Sequence, residues 1–157
     1  MSGIFLESWA RPLLVLHACV ALAAAGATTH LAIVGVRLAR GEAHLARLTR
    51  IYAQVIGATY AAAFALGLLM YPHYRYVVRG LYLDRYEPWA SSLFDIKENL
   101  AALGLPLALA LFVVGRRLEP ERDPAVTRWV AALAVAVWLV VVTTAVAGLL
   151  VTDVKGV

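Results

Sequence analysis

The sequence is poor in the residues that soluble enzymes rely on. Charged residues make up 15% of it, against about 25% in an ordinary soluble domain. It has one cysteine, Cys19, which excludes an intrachain disulfide, a C-x-x-C pair and a C-x-x-C-H haem attachment. It has no Walker-type glycine loop, no H-E-x-x-H and no G-x-S-x-G. Nothing in it points to nucleophilic catalysis or nucleotide hydrolysis. A basic leader is missing too: residues 1–9 do not form a basic n-region, and the first apolar run is too long for a signal h-region. The first apolar run is therefore expected to stay as a signal-anchor helix.

What is present is apolar. Hydrophobic residues reach 62% and the mean hydropathy is +0.78. Arg11 and Arg37 bracket 25 uncharged residues, Arg50 and Arg75 bracket 24, Glu98 and Arg116 bracket 17, and Arg128 and Asp153 bracket 24. A hydrocarbon layer of ~30 Å needs ~20 apolar residues in a helix. Three runs meet that length, and the third meets it if it starts at the interface. The expected fold is all-α: a polytopic membrane protein, one four-helix transmembrane domain over residues 1–157. Its spans fall at about 12–36, 51–73, 94–115 and 129–152. The 67 residues outside the runs leave no room for a soluble domain.

Local signals refine this outline. Pro12 suits a first helical turn, and Gly41 breaks the connection after the first span. Ala21, Ala23, Ala24, Ala25, Gly26 and Ala27 predict that the first helix lies inside the bundle. Ala53, Gly57 and Ala61 form a small-residue stripe on the second helix. Pro72 is expected to disturb that helix's end. Residues 75–89 then read as a short interfacial helix between helices two and three, with Val78, Leu81, Tyr82 and Trp89 on one face. The surrounding tyrosines form an aromatic belt. Ser92-Leu93-Phe94-Asp95 has the form of a capping box, which predicts a third helix starting near Ser92. Pro106 predicts a kink in it.

Arginine supplies 12 of the 14 basic residues. Flanking apolar spans, these arginines indicate topology and lipid contact rather than nucleic acid. The loops at 37–50 and 116–128 carry eight basic residues; the other side carries Arg11, Arg75, Arg79, Arg85, Lys97 and Lys155. The positive-inside rule puts the first set in the cytoplasm of a bacterial-type inner membrane, with both termini and the aromatic loop outside.

Polar groups within spans are costly and mark candidate sites. The aromatic side gathers His17, His73, Arg75, Arg79, Asp95, Lys97 and Glu98. One reading is a b-type haem with His17 and His73 as axial imidazoles and Arg75, Arg79 or Arg11 holding the propionates. His30, near the opposite face, would find a second imidazole only in a homodimer. Another reading is a mononuclear metal site of His17, His73, Asp95 and Glu98, the two acids sharing a helix face at a spacing of three. A third is pairing of Asp95 and Glu98 with Arg75, Arg79 or Lys97, pinning the interfacial segment to the bundle. Thr28, Thr29 and His30 are expected to bond Gln54 or Tyr52 on helix two as helix-to-helix glue. The leading functional expectation is a non-catalytic, cofactor-binding membrane subunit of the electron-transfer type, with haem b first, in a homo-oligomer or larger complex. The alternatives are a structural or assembly subunit without cofactor, and a metal-binding or small-solute carrier protein.

Overall fold

The structure, a computed structural model, describes residues 3–156. It is an all-α protein with four helices long and apolar enough to cross a membrane. By length and composition it is a multi-pass membrane protein. The long helices are α1 (Ala10–Ala39), α2 (Ala46–His73), α3 (Pro88–Gly115) and α4 (Pro124–Val154). Each packs against its sequence neighbours, and α4 closes the ring on α1. Short connections between long helices favour this antiparallel arrangement. It brings the start of α1, the end of α2, the start of α3 and the end of α4 to one end of the bundle.

The helix starts follow local chemistry. Pro88 and Pro124 stand in the first turns of α3 and α4, where a missing amide costs nothing. Asp123 caps α4 by accepting from Val126 N at 3.1 Å. α1 ends at Ala39, and two residues on the chain turns at Gly41, whose φ of 109° is a left-handed conformation that glycine adopts without strain. Just past that end, Arg37 Nε donates to Glu42 Oε1 at 2.8 Å. Bonding to Arg37 is the largest cause holding the Glu42 carboxyl below the ordinary glutamate range. A carboxylate lowered this way favours the folded loop above the ordinary range and loses that contribution as pH falls through its own lowered value. Glu42 is therefore expected to titrate below free glutamate in an NMR pH series, and to return upward in Arg37→Gln.

The main core lies toward the arginine-rich end. Leu31, Leu38, Ile56, Leu111, Leu118, Val130 and Val137 are fully or almost fully buried there. Close approach of α2 and α3 depends on missing side chains. A Cβ on Gly57 would lie 2.7 Å from Phe112 Cβ, and one on Gly115 would lie 2.5 Å from Ala53 Cβ. Gly104 lets Tyr60 cross α3, where its hydroxyl donates to Ala101 O at 2.8 Å. Ala53 and Gly57 of the predicted stripe thus sit in the interface, but Ala61 is exposed. The alanine-rich stretch of α1 is only partly interior: Ala24 is buried, whereas Leu22, Ala23 and Gly26 are exposed.

The largest departure from expectation lies between α2 and α3. Residues 75–89 do not form a separate helix. Pro72 lies within α2, and the chain runs on through a π-helix, Tyr74–Leu83, and a further turn, Asp84–Tyr86. A π-helix bonds i to i+5 and so winds more residues into each turn. Its inward residues, Tyr74, Val78 and Leu83, are spaced by four and five. Val78 therefore parts from the residues an α-helical wheel groups with it: it is buried, whereas Leu81 and Trp89 are exposed, at 43% and 54%. α3 also begins earlier than Ser92. Pro88 sits in its first turn, and the Ser92 hydroxyl donates back to Pro88 O at 3.1 Å, so Ser92 lies inside the helix, past the first turn, rather than at the cap.

Candidate functional site

At the end of the bundle opposite the arginine-rich loops, the π-helix forms a cap that packs against the start of α3 and the end of α4. Tyr74, Val78 and Leu83 pack with Ala90, Phe94 and Val151 into a second, smaller core. The Tyr74 and Phe94 rings stack at 5.0 Å. Polar bonds close the cap onto α3. Arg79 grips Asp95 with both terminal nitrogens, Nη2 to Oδ2 at 2.8 Å. Arg79 Nε also lies 3.6 Å from Asp84 Oδ1, and the Ser91 hydroxyl donates to Asp84. A guanidinium fork matched to a carboxylate gives two parallel bonds, a stronger and more directional link than a point charge makes. The third sequence reading therefore holds for Arg79 and Asp95. Asp84 and Ser91 were missed. Nothing in a linear pattern relates them, because the backbone break at Glu87 (φ −138°, ψ 65°) sets their approach.

The other predicted residues spread out around this clasp. Arg75 is exposed and bonded to the Tyr71 hydroxyl, with its guanidinium 5.6 Å from the Tyr71 ring centroid. Arg75 and Arg79 share an open groove of about 400 Å³ with Pro72, Tyr76, Gly80 and Asp84. Deeper in the bundle, His17 Nδ1 bonds the Ala63 carbonyl at 3.0 Å. A carbonyl only accepts, so Nδ1 carries the proton and Nε2 keeps its lone pair in the neutral ring. Gly67 of α2 faces this ring, its absent Cβ falling 3.7 Å from His17 Cε1. Lys97 reaches the same level from α3. It lies within electrostatic range of His17 and Glu98, and its ammonium sits 5.2 Å and 6.0 Å from the Phe94 and Tyr74 ring centroids. Glu98 is half-buried, in the field of Lys97, Asp95, Arg75 and Arg79.

His73 is 8% exposed, and its buried Nδ1 has no hydrogen-bond partner among the described residues. Among the described residues no group of three or more His, Cys, Asp or Glu side chains is placed to hold a metal ion. The set His17, His73, Asp95 and Glu98 is thus not drawn together, and Asp95 is already held by Arg79. His30 lies exposed toward the other end, edge-on to Tyr52 with ring centroids 4.7 Å apart. The hydrogen bonds expected from the Thr-Thr-His cluster to helix two are replaced by this ring contact: the Thr28 and Thr29 hydroxyls donate to Ala24 O and Ala25 O of their own helix, and Gln54 bonds Arg50 O. Thr29 has a partner the sequence did not suggest: it accepts from Trp138 Nε1 at 3.0 Å, linking α1 to α4.

Together these features define a class: an all-α, four-helix membrane protein with an ion-paired cap at one end. No protein family, curated protein or solved structure matches the chain.

Proposed function

We propose that this is a non-catalytic subunit of a larger membrane assembly, and that the capped end is where it holds its partner. In this reading the cap and both termini lie on the outer side of a bacterial-type inner membrane, as the excess of arginine at the other end favours. The carrying observation is how the polar residues of the cap are used. Arg79, Asp95, Asp84 and Ser91 bond one another. Such a set stiffens a surface and leaves few groups free for chemistry. The surface it stiffens exposes Arg75, Tyr76, Arg85, Tyr86 and Trp89. Aromatic and arginine side chains are the types enriched at protein interfaces. The experiment is to compare the assembly purified with wild type and with Arg75→Glu/Trp89→Ala, which leaves the clasp untouched. Release of a folded variant chain is expected. An assembly of unchanged composition and yield contradicts the reading.

One observation favours a second reading, a b-type haem bound through His17. A metal-binding imidazole commonly donates its other ring nitrogen to a carbonyl, and His17 Nδ1 is so placed against Ala63 O. A Soret band that disappears in His17→Ala supports this reading; a colourless purified protein removes it.

A further inference from the structure

A groove at the arginine-rich end has the form of a lipid site, and it stands apart from the cap. It runs between α1 and α4, with a volume of about 520 Å³. Val36, Ala131, Ala132, Ala136 and Leu139 line it, and among the described residues of the wall Arg40 alone is charged. The walls come from close packing. A Cβ on Gly35 would fall 3.5 Å from Ala131 Cα, so the two backbones approach closely, and the small side chains of Ala131, Ala132 and Ala136 leave a trough outside the contact. From Ala131 to Leu139 the trough follows α4 for about 12 Å, at 1.5 Å per residue. It is apolar and lies on the surface of two membrane-spanning helices, where an acyl chain is the ordinary neighbour.

The mouth of the groove carries charge of one sign. Arg40 is exposed at the end of α1, and Arg128 is exposed one turn before Ala131 and Ala132 on the same face of α4. Neither makes an ion pair among the described residues, whereas Arg37 nearby is bonded to Glu42. An apolar trough leading to two arginines at headgroup level complements a molecule with a hydrocarbon tail and a phosphate. We infer that one anionic phospholipid binds here, its acyl chain along Ala131–Leu139 and its phosphate between Arg40 and Arg128. The charge at the mouth selects this occupant over a zwitterionic lipid or an apolar helix of another chain.

The test is native mass spectrometry of the detergent-purified full chain, titrated with phosphatidylglycerol or phosphatidylcholine. Wild type is expected to retain phosphatidylglycerol preferentially. Arg40→Gln and Arg128→Gln are each expected to weaken that preference about fivefold, and the double variant about twenty-five-fold, from the attraction of each arginine to an anionic headgroup. Ala136→Trp, which fills the trough and keeps both arginines, is expected to reduce retention of both lipids. Circular dichroism confirms that each variant is folded. Equal retention of the two lipids by wild type, or a preference unchanged in the double arginine variant, overturns the proposal. So does a dimer that Ala136→Trp dissociates, which would give the groove to a second copy of the chain.

Discussion

Gly115→Ala is expected to destabilise the bundle by about 1–3 kcal/mol, the usual range for overpacking a close contact. Alanine is the better helix former by about 1 kcal/mol, so an exposed glycine would show the opposite sign. The steric term wins here because the added Cβ would lie 2.5 Å from Ala53 Cβ. Neither atom can rotate away, since a Cβ position is fixed by its backbone. α2 and α3 must separate, and the neighbouring contact of Gly57 with Phe112 Cβ opens with them. Gly57→Ala is expected to act the same way. The diagnostic variant is Gly115→Ala combined with Ala53→Gly, which moves the methyl from one helix to the other. It is expected to recover most of the stability lost in Gly115→Ala, read as the midpoint of thermal unfolding in detergent. A double variant less stable than either single one would show that the two positions do not meet.

The second large effect is local. Arg79→Ala is expected to cost about 1–3 kcal/mol and to free the cap without dissolving the bundle. That range lies between exposed ion pairs, at about 0.2–1 kcal/mol, and buried ones broken on one side, at about 3–5 kcal/mol. The intermediate value follows from burial: the side chains are 20% exposed for Arg79 and 45% for Asp95. Amide hydrogen exchange is expected to accelerate through residues 74–86 while the deeper turns of α1 and α4 stay protected. Arg79→Lys is expected to recover only part of the loss, because an ammonium cannot make the two parallel bonds of the guanidinium fork. Uniform acceleration across all four helices would show that the ion pair stabilises the whole bundle rather than the cap.

The legible and illegible parts of this protein divide along physical lines. Four long apolar helices were readable because uncharged runs of this length, bounded by charged residues, leave few alternatives in a bilayer. The Ala53 and Gly57 contact was readable because small residues four apart share a helix face. The pairing of Asp95 with Arg79 followed from an acid and a base brought to one end by antiparallel helices. The π-helix was not readable. Its winding differs from the 3.6-residue period that any wheel assumes, so Val78 was placed with Leu81 when its partners are Tyr74 and Leu83. The start of α3 was misplaced because two signals competed, and Pro88 prevailed over the Ser92-to-Asp95 pattern. His17 stood out as a polar group within a span, but its geometry lay beyond the sequence: Ala63 is 46 residues away, and a backbone carbonyl leaves no trace in residue identity. Whether the four proposed metal ligands converge was not legible for the same reason: side chains at one end of a bundle need not meet, and among the described residues no group of three or more His, Cys, Asp or Glu does.

A native mass spectrum of the chain released from its own membrane in mild detergent tests the central claim most directly. It weighs partner subunits and a bound haem in one measurement. The account predicts a mass of this chain together with another subunit, reduced to the chain alone by Arg75→Glu/Trp89→Ala. A lone chain from wild type, or one carrying a haem lost in His17→Ala, would contradict it.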